Sequence, residues 1–119
     1  TADALVGEIE AVFARHGVDA AFHWHRSGEP FHTAPGRLRT AVGEAVRSAL
    51  GIAPDENTGG GTSDGRFVAL LGAEVVELGP VNASIHQVDE HVAVADLERL
   101  PGLYLDVIQR CLLLRGGAG

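Results

Sequence analysis

The spacing of the apolar residues changes along the chain, and this change limits the fold more than any other feature. From Thr1 to His16 they recur at Leu5, Ile9, Val12 and Phe13, one helical face, and Gly17 stops the run. From Val18 to Arg26 the period drops to two: Ala20, Phe22, Trp24 and Arg26 share one face of a strand, and Ala21, His23 and His25 the other. Ser27-Gly28-Glu29-Pro30 is a turn. A second helix is predicted with Thr33 as its cap and Pro35 in its first turn. Its stripe is Leu38, Ala41, Val42, Ala45, Ala49 and Leu50, and Gly51 ends it. Ile52–Ala53 opens a short strand. Asn57–Gly65 is a glycine-rich loop, followed by a short helix over 66–71 with Ser63 or Asp64 as cap and Gly72 as stop. Glu74–Leu78 reads as a buried strand and Gly79–His91 as a polar loop. The last helix starts near Ala95-Asp96, is kinked or divided at Pro101-Gly102, and resumes over 103–114. Alternating helices and strands predict an α/β layered fold.

At 119 residues the chain is one ordinary domain at most, and its 45% hydrophobic content supplies a core. The nine basic residues are all Arg, and the net charge of −7 repels phosphate backbones, which argues against nucleic-acid binding. No apolar run approaches the ~18 residues of a membrane span. Cys111 is the only cysteine, so no intrachain disulfide forms, and a cytoplasmic location is expected. Methionine is absent, even at position 1, so a processed product or a fragment is expected.

Several residues could carry chemistry. Gly59-Gly60-Gly61 ahead of a helix suits an anion such as a carboxylate, with Arg66 one turn in; on sequence physics alone a tight turn with a helix cap is the favoured reading. A phosphate-binding P-loop would need a lysine, which the chain lacks. His86 follows a strand beside Asn82, Asp89, Glu90 and His91, a position suited to metal ligation through neutral imidazole or to hydrogen bonding within the loop. His23 and His25 share a strand face and could grip a metal or line a polar surface. Glu77 could be a catalytic or orienting carboxylate or a solvent-facing strand end. Cys111, in an apolar stretch, reads as a small core residue.

Taken together, Gly60–Phe67 (GGTSDGRF) and Gly72–His86 (GAEVVELGPVNASIH) resemble the C-terminal part of the di-zinc amidohydrolases of the aminoacylase/carboxypeptidase family. Ser27–Phe31 and Val94–Leu97 extend the similarity, which covers nearly the whole chain and is sharpest over 60–97. The resemblance implies a metallopeptidase-like α/β catalytic domain, here residues 33–119, preceded over 1–32 by the last helix and strand of an α+β lid domain that makes a homodimer. It implies two zinc ions per site, with cobalt as a substitute, and a small dicarboxylate amide as substrate. His86 matches the last metal ligand of the family. Gly61, Thr62 and Asn82 match substrate contacts, and Arg66 lies within the same motif. The other ligands and the general base belong to segments absent from this sequence, so no catalytic residue is expected here and the chain alone is expected to be inactive. Gly59, the 23–26 stretch and Pro101-Gly102 depart from the family pattern.

Overall fold

The computed structural model describes residues 1–59, 63–81 and 83–112. They form four helices: α1 (Ala2–Arg15), α2 (Arg37–Leu50), α3 (Gly65–Ala69) and α4 (Val94–Leu112). The chain divides into two compact units, Thr1–His32 with Thr62–Ala73, and Thr33–Gly61 with Glu74–Gly119.

In the first unit, α1 begins at Thr1, whose hydroxyl accepts from the Ala4 amide at 3.3 Å. It ends in a Schellman motif: Gly17 is left-handed at φ 64°, its N–H donates to Ala14 and that of Val18 donates to Phe13. The chain then returns extended along the helix. Phe22 meets Phe13 edge to face at 5.0 Å, the Trp24 indole donates to Glu10 at 3.1 Å, and Arg26 pairs with Asp3. The geometry agrees with this: from Phe13 back to Asp3 a helix rises about 15 Å, and from Phe22 to Arg26 a strand advances about 13 Å. Alternate residues therefore face α1, as the period of two predicts.

In the second unit, α2 and α4 enclose the core. Ala41, Val42, Ala45 and Val46 pack with Leu103 and Val107, and Leu38, Val76, Leu78, Leu100 and Cys111 close over them. Arg110 ties the helices together by pairing with Glu44 and Asp106, each at 2.9 Å. The Asp106 hydrogen bond is the main cause that holds its guanidinium pKa above the ordinary value, with Glu44 adding to it. Val46 and Gly43 are buried where the sequence pattern placed Ala49 and Leu50, which are exposed.

Three expectations are corrected. First, Thr33 does not cap α2. The helix starts at Arg37, after Gly36, and the cap is the Glu74 carboxylate, which accepts from the amides of Arg37 at 3.1 Å and Leu38 at 2.5 Å. Pro35 disfavours helical geometry in the residue before it, which delays the start. Second, α4 is not divided at Pro101 but runs through it as one helix, although proline supplies no N–H to the Leu97 carbonyl. Burial of Leu100, Leu103 and Val107 against α2 holds it together across that gap. Third, no β ladder forms among the described residues, so the helices of the α/β reading are present and its sheet is not. Residues 18–26 lie on α1 without a second strand. Over 74–78 side chains serve the carbonyls: Thr33 donates its hydroxyl to Val75, and Tyr104 donates to Leu78 at 2.7 Å. A strand needs a partner strand, and neither segment has one among the described residues. Ile52–Ala53 likewise forms no strand. Among the described residues no helix is long and apolar enough to cross a membrane.

Candidate functional site

His86 sits in a tightly built loop of the second unit. Ser84, nearly buried, clips the loop shut: its hydroxyl donates to the His91 carbonyl at 2.8 Å and accepts from the His91 amide at 3.0 Å. Inside the clip, Gln87 donates its amide to the Ser84 carbonyl at 3.0 Å, and the His86 amide points to Glu90 at 3.4 Å. The His91 ring nitrogen Nδ1 lies 2.8 Å from the Asp89 carbonyl, which can only accept, so that nitrogen carries the proton. His86 and Asp89 are both left-handed, at φ 60° and 61°. A non-glycine residue there is uncommon and strained, and the surrounding clip is what holds it. The His86 side chain is exposed.

Zinc sites take three or more protein donors. Among the described residues no group of three or more His, Cys, Asp or Glu converges, so the donor set of these residues does not fit a zinc ion by itself. His86 offers one imidazole, and His91 is turned into its own loop.

Arg66 belongs to the first unit, on α3. Its aliphatic stem crosses Gly28, where a Cβ would come within 2.8 Å of Arg66 Cδ, and its guanidinium lies 4.7 Å from the Phe67 ring centre. With Trp24, His25, Arg26 and Pro30 it lines a hollow of about 330 Å³ beside the start of α1. The other sequence-derived candidates, Gly61, Thr62 and Asn82, lie outside the described residues. His23 and His25 are exposed, with no third donor among the described residues. Cys111 packs at the edge of the core, as a small apolar residue would.

The pattern of apolar residues did not reveal Glu74 or Ser84. Glu74 looks like any strand carboxylate until Gly36 is brought against it. Ser84 shows its role only through the carbonyl and amide of a residue seven positions on.

Comparison with known proteins gives a consistent result. The chain is 59% identical over 109 residues to a protein of Xanthomonas oryzae pv. oryzae (strain MAFF 311018) named succinyl-diaminopimelate desuccinylase, covering 92% of this chain and 29% of that protein. A protein of the same name from Xylella fastidiosa (strain 9a5c) is 57% identical over 112 residues, 94% of this chain and 30% of its own length. Another, from Xanthomonas campestris pv. campestris (strain 8004), is 55% identical over the same span. The chain thus spans under a third of the length of the curated relatives it matches. The model of peptidase family M20/M25/M40 matches residues 3–110, nearly the whole chain, and the chain belongs to that family.

Proposed function

We propose that this chain supplies part of a zinc-dependent amidohydrolase that cleaves N-succinyl-LL-diaminopimelate to succinate and LL-diaminopimelate, a reaction of diaminopimelate and lysine biosynthesis. The observation that carries the reading is the 55–59% identity, over more than nine-tenths of the chain, to proteins named for that activity. In this reading residues 1–32 close a lid and dimerisation domain and residues 33–119 belong to the catalytic domain. His86 is one metal ligand, with the remaining donors on residues outside this sequence. Gly61, Thr62, Asn82 and Arg66 hold the carboxylate-rich substrate. The whole protein is a cytoplasmic homodimer.

His86 suits the assigned role for a physical reason. A ligand to a metal must be presented in one orientation, and a left-handed residue clamped by Ser84 has little freedom to leave it. A sister activity, such as acetylornithine deacetylation or a carboxypeptidase reaction, and carboxylate binding without turnover are the competing readings.

A chimera tests it. This sequence replaces the matching segment of the Xanthomonas oryzae protein, and succinate release is followed with and without zinc. Zinc-dependent release, lost in His86→Ala, is expected, with N-succinyl-LL-diaminopimelate preferred over N-acetylornithine and C-terminal peptides. A folded chimera that binds zinc but releases no succinate overturns the proposal. The 119-residue chain alone is expected to release none.

A further inference from the structure

Gly28 and Arg66 belong to the same compact unit, Gly28 after the extended segment and Arg66 on α3. Gly28 is not left-handed, so its backbone would accept an alanine. The space beside it would not. A Cβ built on Gly28 stands 2.8 Å from Arg66 Cδ, 3.3 Å from Nε and 3.6 Å from Cγ, so the arginine stem lies where that methyl would go. The backbone on either side of Gly28 is pinned to the start of α1. Arg26 pairs with Asp3, and the Glu29 carboxylate accepts the Ala2 amide at 3.0 Å. A flexible stem gives way more readily than a backbone held on both sides, so an alanine here moves Arg66. An ordinary contact begins near 3.4 Å, and Cδ would have to retreat by about 0.6 Å to reach it. The guanidinium, 4.7 Å from the Phe67 ring centre, would move with it.

We propose that Gly28 is a positioning residue for substrate: by carrying no side chain it lets the Arg66 stem lie across it, and so sets where the guanidinium meets a substrate carboxylate. The inference rests on the proposed function, in which Arg66 holds the carboxylate-rich substrate. A guanidinium grips a carboxylate through a planar fork, and its two parallel N–H···O bonds need both groups in register. Binding groups must be held to within about 0.5 Å to act at full strength, and a retreat of about 0.6 Å exceeds that. Arg26 and Glu29 line the same hollow as Arg66, but each is already committed to α1. Arg26 therefore does not stand in for a displaced Arg66.

Steady-state kinetics of the chimera with N-succinyl-LL-diaminopimelate test this, with circular dichroism to show that each variant folds. Arg66→Ala should raise KM between about tenfold and a hundredfold, the range for losing a hydrogen bond to a charged group. Gly28→Ala should raise KM by a smaller amount, about threefold to tenfold, with kcat changed less, since the binding lost is shared by substrate and transition state. Arg66→Ala removes the stem beyond Cβ, so adding Gly28→Ala to it should raise KM no further. A purely structural glycine would instead add its loss in both backgrounds. An unchanged KM in Gly28→Ala, or an equal rise in both backgrounds, overturns the proposal and leaves the role of Arg66 standing. A Gly28→Ala chimera that fails to fold overturns it too, because the arginine stem would then not be the part that moves. An unchanged KM in Arg66→Ala overturns the assigned role of Arg66, and the proposal with it.

Discussion

Glu74 occupies the space that a side chain on Gly36 would need. A Cβ built on Gly36 would stand 2.2 Å from Glu74 Oε1, and that oxygen accepts the Arg37 amide at the start of α2. The glycine is extended rather than left-handed, so it is required by close approach and not by backbone geometry. Gly36→Ala should therefore push the carboxylate off the helix and cost about 0.5–2 kcal/mol, the range for losing a cap. Glu74→Ala should cost a similar amount. In urea unfolding the double variant should cost clearly less than the sum, because both changes remove one interaction. Strict additivity would show that the two residues act separately.

The α2–α4 core is small, so one residue should matter a great deal. Leu103 is 7% exposed and Leu105, two positions on, is 55% exposed. Leu103→Ala should destabilise by about 2–5 kcal/mol, and Leu105→Ala should stay within about 0.5 kcal/mol. The comparison is made by chemical unfolding followed through the helical circular dichroism signal. Equal losses at both positions would mean that α4 buries a different face.

Pro101 offers a stabilising change. The helix already passes through it, so Pro101→Ala asks for no rearrangement and returns an N–H to the Leu97 carbonyl. A rise in stability of up to about 3 kcal/mol is expected, seen as a higher melting temperature. A lower melting temperature would show that the proline restricts the unfolded chain more than it weakens the helix.

The sequence reveals what is local. Helix α1 and its glycine stop, the inward face of Phe22, Trp24 and Arg26, and the glycine-terminated α2 follow from spacing and turn chemistry alone. The misses share one cause, a partner far along the chain. Thr33 has the chemistry of a cap, yet its hydroxyl goes to Val75 and the capping oxygens arrive from Glu74. Periodicity marks 74–78 as extended but cannot say that Thr33 and Tyr104 will serve its carbonyls in place of a strand. In α4, one proline counts for less than the apolar surface on either side of it. At the site, spacing could not rank His86 above His23, His25 or His91. It is the resemblance to the family that names His86; the structure adds that its backbone is left-handed, as is that of Asp89.

Ser84 should govern how firmly His86 is held. Ser84→Ala removes one hydroxyl that serves both the amide and the carbonyl of His91, leaving two backbone groups without their partner. A loss of about 1–3 kcal/mol is expected, with faster hydrogen exchange at the His91 amide than anywhere in α2. Unchanged exchange at His91 would mean that the turn at Gln87 closes the loop without the serine.

His86 finally separates conformation from chemistry. Its left-handed backbone costs an ordinary residue about 1–2 kcal/mol, most for a β-branched one, whereas asparagine tolerates it. His86→Val should therefore destabilise the chain by about that amount, and His86→Asn should leave stability within about 0.5 kcal/mol. If the imidazole is kept for the metal, both variants should remove zinc-dependent succinate release when placed in the chimera. The valine variant would lose it along with stability, the asparagine variant with the fold intact. Activity surviving in His86→Asn would show that the position is held for its turn geometry alone, and the metal ligand would have to be sought elsewhere.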